Sequence, residues 1–302
     1  MVHLPAPQRR PQRLLVALVH ATTSSHNGAA WLLVVLAATV AGCGGGPPST
    51  PPAAAQAAPT PIALAVDGRS NASVSVAAFG HTVAAGWTGS SETASDIYLS
   101  VSPDGGATFG APVRVNDIEG DARASGEQAA RVAVGTGNAI HVAWPARRDG
   151  ATVIRYAESK DSGRTFSPAV TVAGAKQTGA RGWHAMALGH DGGVHVVWLD
   201  GRNAAPMAAA SGHQHGKAGV KPVRPAGGPR QDIFHASWKG ESERSEQLIQ
   251  ANVCFCCKTA VATAGEHVYA AWRHIYPGSL RDIAVARSTD NGATFGPPIR
   301  VS

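Results

Sequence analysis

The chain of 302 residues has little charge, few aromatic residues and few cysteines. Only 15% of its residues are charged and 6% are aromatic, and it contains four cysteines. Such a low charge fraction excludes the strongly charged composition that is typical of disordered chains. No stripe of Lys or Arg is interleaved with aromatic residues, as nucleic-acid-binding surfaces require. We therefore predict no nucleic-acid partner.

Leucine is scarce beyond the N-terminal region, whereas alanine and valine are plentiful. The sequence also contains 35 glycines and 20 prolines. This composition favours short strands joined by tight turns over long amphipathic helices. The formal net charge of +6 falls to +3 without residues 1–43, because that region contains three arginines and no acidic residue.

The N-terminal region has the features of an export signal. Its three arginines precede an apolar run at residues 29–41, which is too short to span a bilayer comfortably. Small residues then lead directly to Cys43, and this arrangement resembles the bacterial lipobox. The resemblance implies cleavage before Cys43, acylation of its thiol and anchoring in the membrane of a bacterial cell envelope. The alternatives are an ordinary signal peptide or an uncleaved anchor with a chance cysteine. We predict a lipoprotein signal peptide over residues 1–43.

Residues 44–61 are rich in Pro, Ala and Thr and can bury little apolar surface. They are predicted to form a disordered tether between the lipid and a folded domain at residues 62–302.

One motif, Ser-x-Asp-x-Gly-x-Thr-Phe, occurs three times and lies each time between two segments with strand-like alternation. Asp and Ser side chains suit hydrogen bonding within a tight turn, Gly suits a positive φ, and Phe can serve as an apolar plug. The motif resembles the Asp-box, or bacterial neuraminidase repeat, of sialidase-like β-propellers, where it is a structural hairpin. Its residues are Ser102, Asp104, Gly106, Phe109; Ser159, Asp161, Gly163, Phe166; and Ser288, Asp290, Gly292, Phe295.

A second signal repeats in step with the motif. Four strand-like segments end in Trp87, Trp144, Trp198 and Trp272, at spacings of 57, 54 and 74 residues. Each unit contains four short strands, which predicts an all-β propeller of four-stranded antiparallel blades. The predicted blades cover residues 62–118, 119–175, 176–227 and 228–302. We expect His213-Gln214-His215 where the third unit lacks its motif, and an insertion around Gly240 to Gln250 in the fourth.

Sialidase-like propellers usually close with six blades, whereas this sequence contains four units. We therefore expect the propeller to be incomplete at its C-terminus. A complete four-bladed ring is the alternative.

The predicted topology sends the three motifs to one end of the blades and a set of polar residues to loops at the other end. Propellers usually bind ligands at that second end. Ordinary polar loop tips that form surface ion pairs are the alternative for each residue. The candidates for ligand binding are Arg181, His184, Arg202, Arg273 and Arg281, and weak catalytic candidates are Tyr276, Glu127 and Asp200.

Three closely spaced cysteines, Cys254, Cys256 and Cys257, are expected near the same end. On a strand, the first two would point to one side and the third to the other. One disulfide with an odd thiol is the simplest interpretation for an exported protein. The alternative is a copper or zinc site, with further ligands that the sequence does not identify. The His213 and His215 pair could supply ligands, although an exposed hairpin tip is the simpler interpretation of it.

The resemblance to sialidases implies an arginine clamp for a carboxylate, a Tyr nucleophile with a Glu partner, and an Asp acid/base. This sequence lacks the Arg-Ile-Pro segment that opens the catalytic family. We therefore consider three functions. The first is an envelope-anchored module that binds a glycan, a metal or an envelope protein. The second is an exo-sialidase or related glycoside hydrolase, and the third is an extracytoplasmic metal or redox protein that uses the three cysteines.

Overall fold

The computed structural model describes residues 61–172, 179–203 and 230–301. This part of the chain is built from four antiparallel sheets of four strands each, in which successive strands are neighbours. The predicted all-β propeller architecture is therefore confirmed. The predicted signal, the tether and the His213 and His215 pair lie outside the described residues.

The strands are, in the first sheet, β1 (Ser70–Phe79), β2 (Thr82–Ser90), β3 (Ser95–Ser102) and β4 (Val113–Arg114); in the second, β5 (Arg131–Val134), β6 (Ile140–Arg148), β7 (Ala151–Ser159) and β8 (Val170–Thr171); in the third, β9 (Arg181–Leu188), β10 (Val194–Asp200), β11 (Arg230–Trp238) and β12 (Ser245–Cys254); and in the fourth, β13 (Ala260–Ala264), β14 (His267–Tyr276), β15 (Leu280–Ser288) and β16 (Ile299–Val301). Two short 3-10 turns lie at Thr136–Asn138 and Pro277–Ser279. No helix among the described residues has the length and apolar character needed to cross a membrane.

The sheets fan out from their first strands, because β1 contacts β5, β5 contacts β9 and β9 contacts β13. The four repeated tryptophans lie on the second strand of each sheet, as the sequence predicts. Trp144, Trp198 and Trp272 are buried in the three apolar layers between neighbouring sheets. The tryptophan repeat therefore supplies the side chains that hold successive sheets together.

The predicted boundary between the third and fourth blades is wrong. The third sheet continues to Cys254 and the fourth begins at Ala260, so residues 230–254 belong to the third sheet. The long spacing between Trp198 and Trp272 reflects a long connection between β10 and β11, and not an insertion in the fourth blade. In the third sheet, the hairpin that lacks the motif joins β11 to β12. It lies well after residues 211–215, where the sequence analysis placed it.

The three motif-bearing hairpins, here called the box hairpins (residues 102–109, 159–166 and 288–295), share one set of hydrogen bonds. In the second, the Ser159 hydroxyl donates to Asp161 at 2.7 Å and accepts from the Gly163 N–H at 2.8 Å. Asp161 also accepts the Thr165 hydroxyl at 2.6 Å. Gly163 has a φ of 84°, which glycine adopts without strain. In the first box hairpin, the equivalent hydrogen bonds from Thr108 and Ser102 lower the pKa of Asp104 to about 2.

Candidate functional site

The two ends of the sheets carry different chemistry. The box hairpins lie at one end together with the turns between first and second strands, as shown by the bond from the Gly105 N–H to the His81 carbonyl at 2.8 Å. We call this the box end. The opposite end, here called the connection end, carries the turns between second and third strands and the links from one sheet to the next. The three cysteines lie at the connection end.

The cysteines occupy the turn that leaves β12 and enters the fourth sheet. Cys254 is the last residue of β12 and is buried, whereas Cys256 is exposed and Cys257 is half-buried. All three thiols are free, and their sulfur atoms are separated by 3.5, 3.7 and 3.8 Å. A disulfide requires about 2.05 Å. The strand geometry expected for these residues is wrong, because a turn brings all three sulfurs to the same side.

Cys254 and Cys256 differ in how readily their thiols ionise. Burial opposes ionisation of Cys254, but hydrogen bonds from the backbone of Cys256 and from the two neighbouring thiols lower its pKa below the ordinary value. Burial and the neighbouring sulfurs raise the pKa of Cys256 to about 11. Cys254 is therefore the first of these two to carry charge, and the cluster needs a positive partner to hold more than one thiolate.

Two of the predicted arginines lie beside this cluster. Arg273 Nη1 is 3.6 Å from Cys257 Sγ, and Arg281 contributes to lowering the pKa of Cys254. Neither arginine lies in a loop as predicted. Arg273 and Tyr276 belong to β14 and Arg281 to β15, because this pair of strands continues well beyond Trp272.

Arg181, Asp200 and Arg202 form an internal ion-pair network instead of an open ligand site. Asp200 is fully buried and accepts hydrogen bonds from Arg181 Nε at 2.8 Å and from Trp198 Nε1 at 2.9 Å. Arg202 Nη2 also donates to this carboxylate at 2.6 Å, and its other nitrogen pairs with Glu246. These contacts hold the pKa of Asp200 below its ordinary value against the effect of burial. The network joins strands of the third sheet, which is a structural role.

The remaining predicted residues each contact a different partner. His184 is fully buried, and its Nε2 lies 3.1 Å from the Ala143 carbonyl oxygen. Burial lowers the pKa of His184 to about 4. Glu127 is exposed, with its carboxylate 3.7 Å from Lys258 Nζ. Tyr276 packs edge-on against His274 and beneath the Arg300 guanidinium. Within the described residues, Glu127 and Tyr276 form no hydrogen bond or ion pair with each other or with Asp200.

A pair of buried histidines at the box end was not predicted from the sequence. His195 and His235 lie in contact, with His195 Nδ1 3.2 Å from His235 Nε2, and both rings are buried. Asp191 and Asn291 are close to the same pair. The only sequence signal was the histidine before Val196 and Trp198, which repeats His141 in the second unit.

Comparisons with known proteins find similarity of fold at low identity. Hadza microbial sialidase Hz136 is 13% identical with a TM-score of 0.44, and the match covers 74% of this chain and 45% of that one. A thermostable family-43 glycoside hydrolase is 12% identical with a TM-score of 0.42, covering 78% of this chain and 73% of that one. The catalytic domain of a Coprinopsis cinerea GH62 alpha-L-arabinofuranosidase is 9% identical with a TM-score of 0.38, covering 75% and 67%. The match thus spans less than half of the sialidase's length. No protein-family model and no curated protein matches the chain.

Proposed function

We propose that the protein is an envelope-anchored propeller module that binds a soft metal ion, copper(I) or zinc(II), through Cys254, Cys256 and Cys257. The observation that carries this proposal is the convergence of three free sulfur atoms within 3.8 Å of one another. Thiolates are the protein ligands that soft and borderline metals prefer. A metal ion also removes the repulsion that raises the pKa of Cys256, because it replaces the thiol protons with a positive charge.

The surroundings of the cluster support the same proposal. Three thiolates around one copper(I) carry a net negative charge, and the guanidinium of Arg273 and the nearby Arg281 offset it. Copper(I) is satisfied by soft thiolate ligands, whereas a structural zinc ion normally takes four ligands. Cys256 is exposed, so the ion can enter from solvent.

Metal analysis of the full-length reduced protein tests the proposal. We expect one copper(I) or one zinc(II) per chain, and loss of at least nine-tenths of it in Cys254→Ser. The variant in which His213 and His215 are both replaced by Ala is the matched control, because it removes the other ligand pair suggested by the sequence. Metal-free protein, or equal metal content in Cys254→Ser and wild type, would contradict the proposal.

Anchoring through Cys43 is a separate part of the proposal, supported by the lipobox-like residues alone. In a bacterial host, Cys43→Ala should move the protein from the membrane fraction to the soluble fraction. The same variant should retain its metal, since Cys43 is remote in sequence from the thiol cluster. Unchanged fractionation of Cys43→Ala would refute lipid anchoring and leave the metal proposal standing.

Glycoside hydrolysis is less well supported by the described geometry. A carboxylate clamp needs accessible guanidinium groups, but Arg181 is buried and Arg202 is held by Asp200 and Glu246. Arg273 instead lies beside a thiol.

A further inference from the structure

The turn that follows β12 places two of the three cysteines at its two ends. Phe255 and Cys256 are the central residues of this turn, so Cys254 and Cys257 are its first and fourth residues. The first and fourth Cα atoms of a β-turn lie within about 7 Å of each other. A disulfide requires a Cα separation of about 4.4–6.8 Å. The backbone of this turn therefore suits a disulfide between Cys254 and Cys257.

The sulfur atoms favour the same pair. Cys254 Sγ and Cys257 Sγ are 3.5 Å apart, which is the shortest of the three separations. The adjacent residues Cys256 and Cys257 are joined by a trans peptide, whose Cα separation of about 3.8 Å is too short for an ordinary disulfide. A bond between Cys254 and Cys256 would close a smaller and stiffer ring. Pairing of Cys254 with Cys257 thus requires the least movement of the backbone and leaves Cys256 over.

The exposure of the cysteines sets the order in which they can react. Cys254 is only 2% exposed, whereas Cys257 is half-buried. A small oxidant can therefore reach Cys257 from solvent but cannot reach Cys254. The exposed side chain of Arg273 lies beside this approach, with its Nη1 3.6 Å from Cys257 Sγ. Its N–H groups can donate hydrogen bonds to an oxygen that departs from a peroxide held against the Cys257 sulfur.

We propose that Cys254 and Cys257 form a reversible disulfide with hydrogen peroxide as the oxidant. The Cys257 thiolate attacks one peroxide oxygen, the O–O bond breaks, and a sulfenic acid forms on Cys257 while the departing hydroxide takes up the thiol proton. The Cys254 sulfur then attacks the Cys257 sulfur, the S–O bond breaks, and a second water leaves with the Cys254 proton. Two thiols lose two electrons, one peroxide becomes two waters, and an external dithiol reverses the reaction by thiol–disulfide exchange.

The disulfide regulates the metal site, and this part of the inference rests on the function proposed above. The thiolate form of cysteine is the metal ligand, so a sulfur in a disulfide no longer binds the ion in this way. Oxidation removes two of the three ligands and leaves only Cys256, which is exposed. Hydrogen peroxide therefore releases the ion, and reduction restores the site.

The full-length Cys43→Ala variant tests the disulfide, because Cys254, Cys256 and Cys257 are then its only thiols. One molar equivalent of hydrogen peroxide is added to the reduced, metal-free protein, the remaining thiols are alkylated, and the peptides are mapped by mass spectrometry. We expect a disulfide between Cys254 and Cys257 and an alkylated Cys256.

Three further variants, made in the same background, sharpen the test. Cys256→Ser is the matched control and should form the same disulfide. Cys257→Ser should lose its thiols at least about tenfold more slowly, because it lacks the thiol that the peroxide reaches first. Arg273→Ala should form the same disulfide about tenfold more slowly, and Arg273→Lys should recover part of the rate because it keeps a charged donor. Thermal unfolding of the reduced proteins shows whether each variant is folded.

A disulfide that contains Cys256, oxidation that stops without a disulfide, or no loss of thiols would each overturn the proposal. Metal titration separates it from the proposed function. The reduced and oxidised forms, freed of peroxide, are titrated with zinc(II) and, without oxygen, with copper(I). We expect one ion in the reduced form and at least about tenfold weaker binding in the oxidised form. Equal binding by both forms would refute the regulation. A reduced form that binds neither ion would refute the metal site, while the peptide map still decides the disulfide.

Discussion

The second and third sheets occupy equivalent places, each with a neighbour on both sides, yet they use the same positions differently. His141 on β6 corresponds to His195 on β10, and the register of the strands aligns Tyr156 on β7 with His235 on β11. The second sheet pairs its histidine with a phenol, whereas the third pairs two imidazoles. In both sheets the histidine of the second strand meets its partner through Nδ1.

The two sheets also differ in their last hairpin and in the length of their fourth strand. The second sheet has a box hairpin and a two-residue outer strand, β8. The third has a turn in which the Lys239 N–H donates to the Ser242 hydroxyl at 2.9 Å, followed by the ten-residue β12. That long strand delivers Cys254 to the connection end. The three sulfur atoms therefore converge where the third sheet departs from the repeat.

Truncating the phenol should have the largest effect. Tyr156 is buried, its hydroxyl contacts His141 and its ring packs edge-on against Trp238 across the layer between the second and third sheets. Tyr156→Ala should therefore lower the free energy of unfolding by about 4 kcal/mol, measured by urea denaturation at pH 7.5. The equivalent truncation, His235→Ala, should cost about 2 kcal/mol because a smaller ring is lost. Equal costs of the two truncations would show that the phenol of Tyr156 adds no stability beyond that of the His235 imidazole.

Repetition in the sequence explains how much could be predicted. The tryptophan spacing and the three motifs predicted the four-stranded sheets and the separation of the motifs from the cysteines. They failed at the end of the third sheet, because its last hairpin carries no motif and a long connection follows Asp200. The sequence also gave no sign that Arg181 and Asp200 are directly paired on neighbouring strands and buried.

The thiol cluster and the contact between Asp191 and Asn291 illustrate the remaining limit. The convergence of the three sulfurs depends on the turn after β12, which alternation alone cannot show. Asp191 and Asn291 are 100 residues apart in the chain and meet only because neighbouring sheets pack together. Such contacts are set by tertiary structure and leave no local pattern.

Acid should distinguish the two histidine environments. Burial lowers the pKa of His141 to about 4, compared with 6.5 when it is exposed in the unfolded chain. The unfolded state therefore takes up a proton first, so the stability contributed by neutral His141 is complete above pH 6.5 and is lost as the pH falls towards 4. Between pH 7.5 and 4.5 this loss is between about 2 and 3 kcal/mol. His141→Gln should lose that much less stability than the wild type over the same interval in urea denaturation.

His235→Gln sharpens the same test in the third sheet. Burial lowers the pKa of His235 to about 3, with His195 adding to the shift, so its loss of stability continues to a lower pH. Down to pH 4.5, His235→Gln should reduce the loss of stability about as much as His141→Gln does. Down to pH 3.5, it should reduce that loss by more than His141→Gln does. A His141→Gln variant with the pH dependence of the wild type would show that this ring already accepts a proton in the folded protein.

The smallest expected difference concerns the outer hairpins. Ser159 in the second sheet is buried and holds both Asp161 and the Gly163 N–H, whereas Ser242 in the third is exposed and bonds only to Lys239 in its turn. Ser159→Ala leaves a buried N–H unpaired and should lower the free energy of unfolding by about 1 kcal/mol. Ser242→Ala should change it by less than about 0.5 kcal/mol. If urea denaturation gives the larger cost for Ser242→Ala, the box hairpin is not what stabilises the outer edge of the repeat, and the third sheet has replaced it with a turn of equal strength.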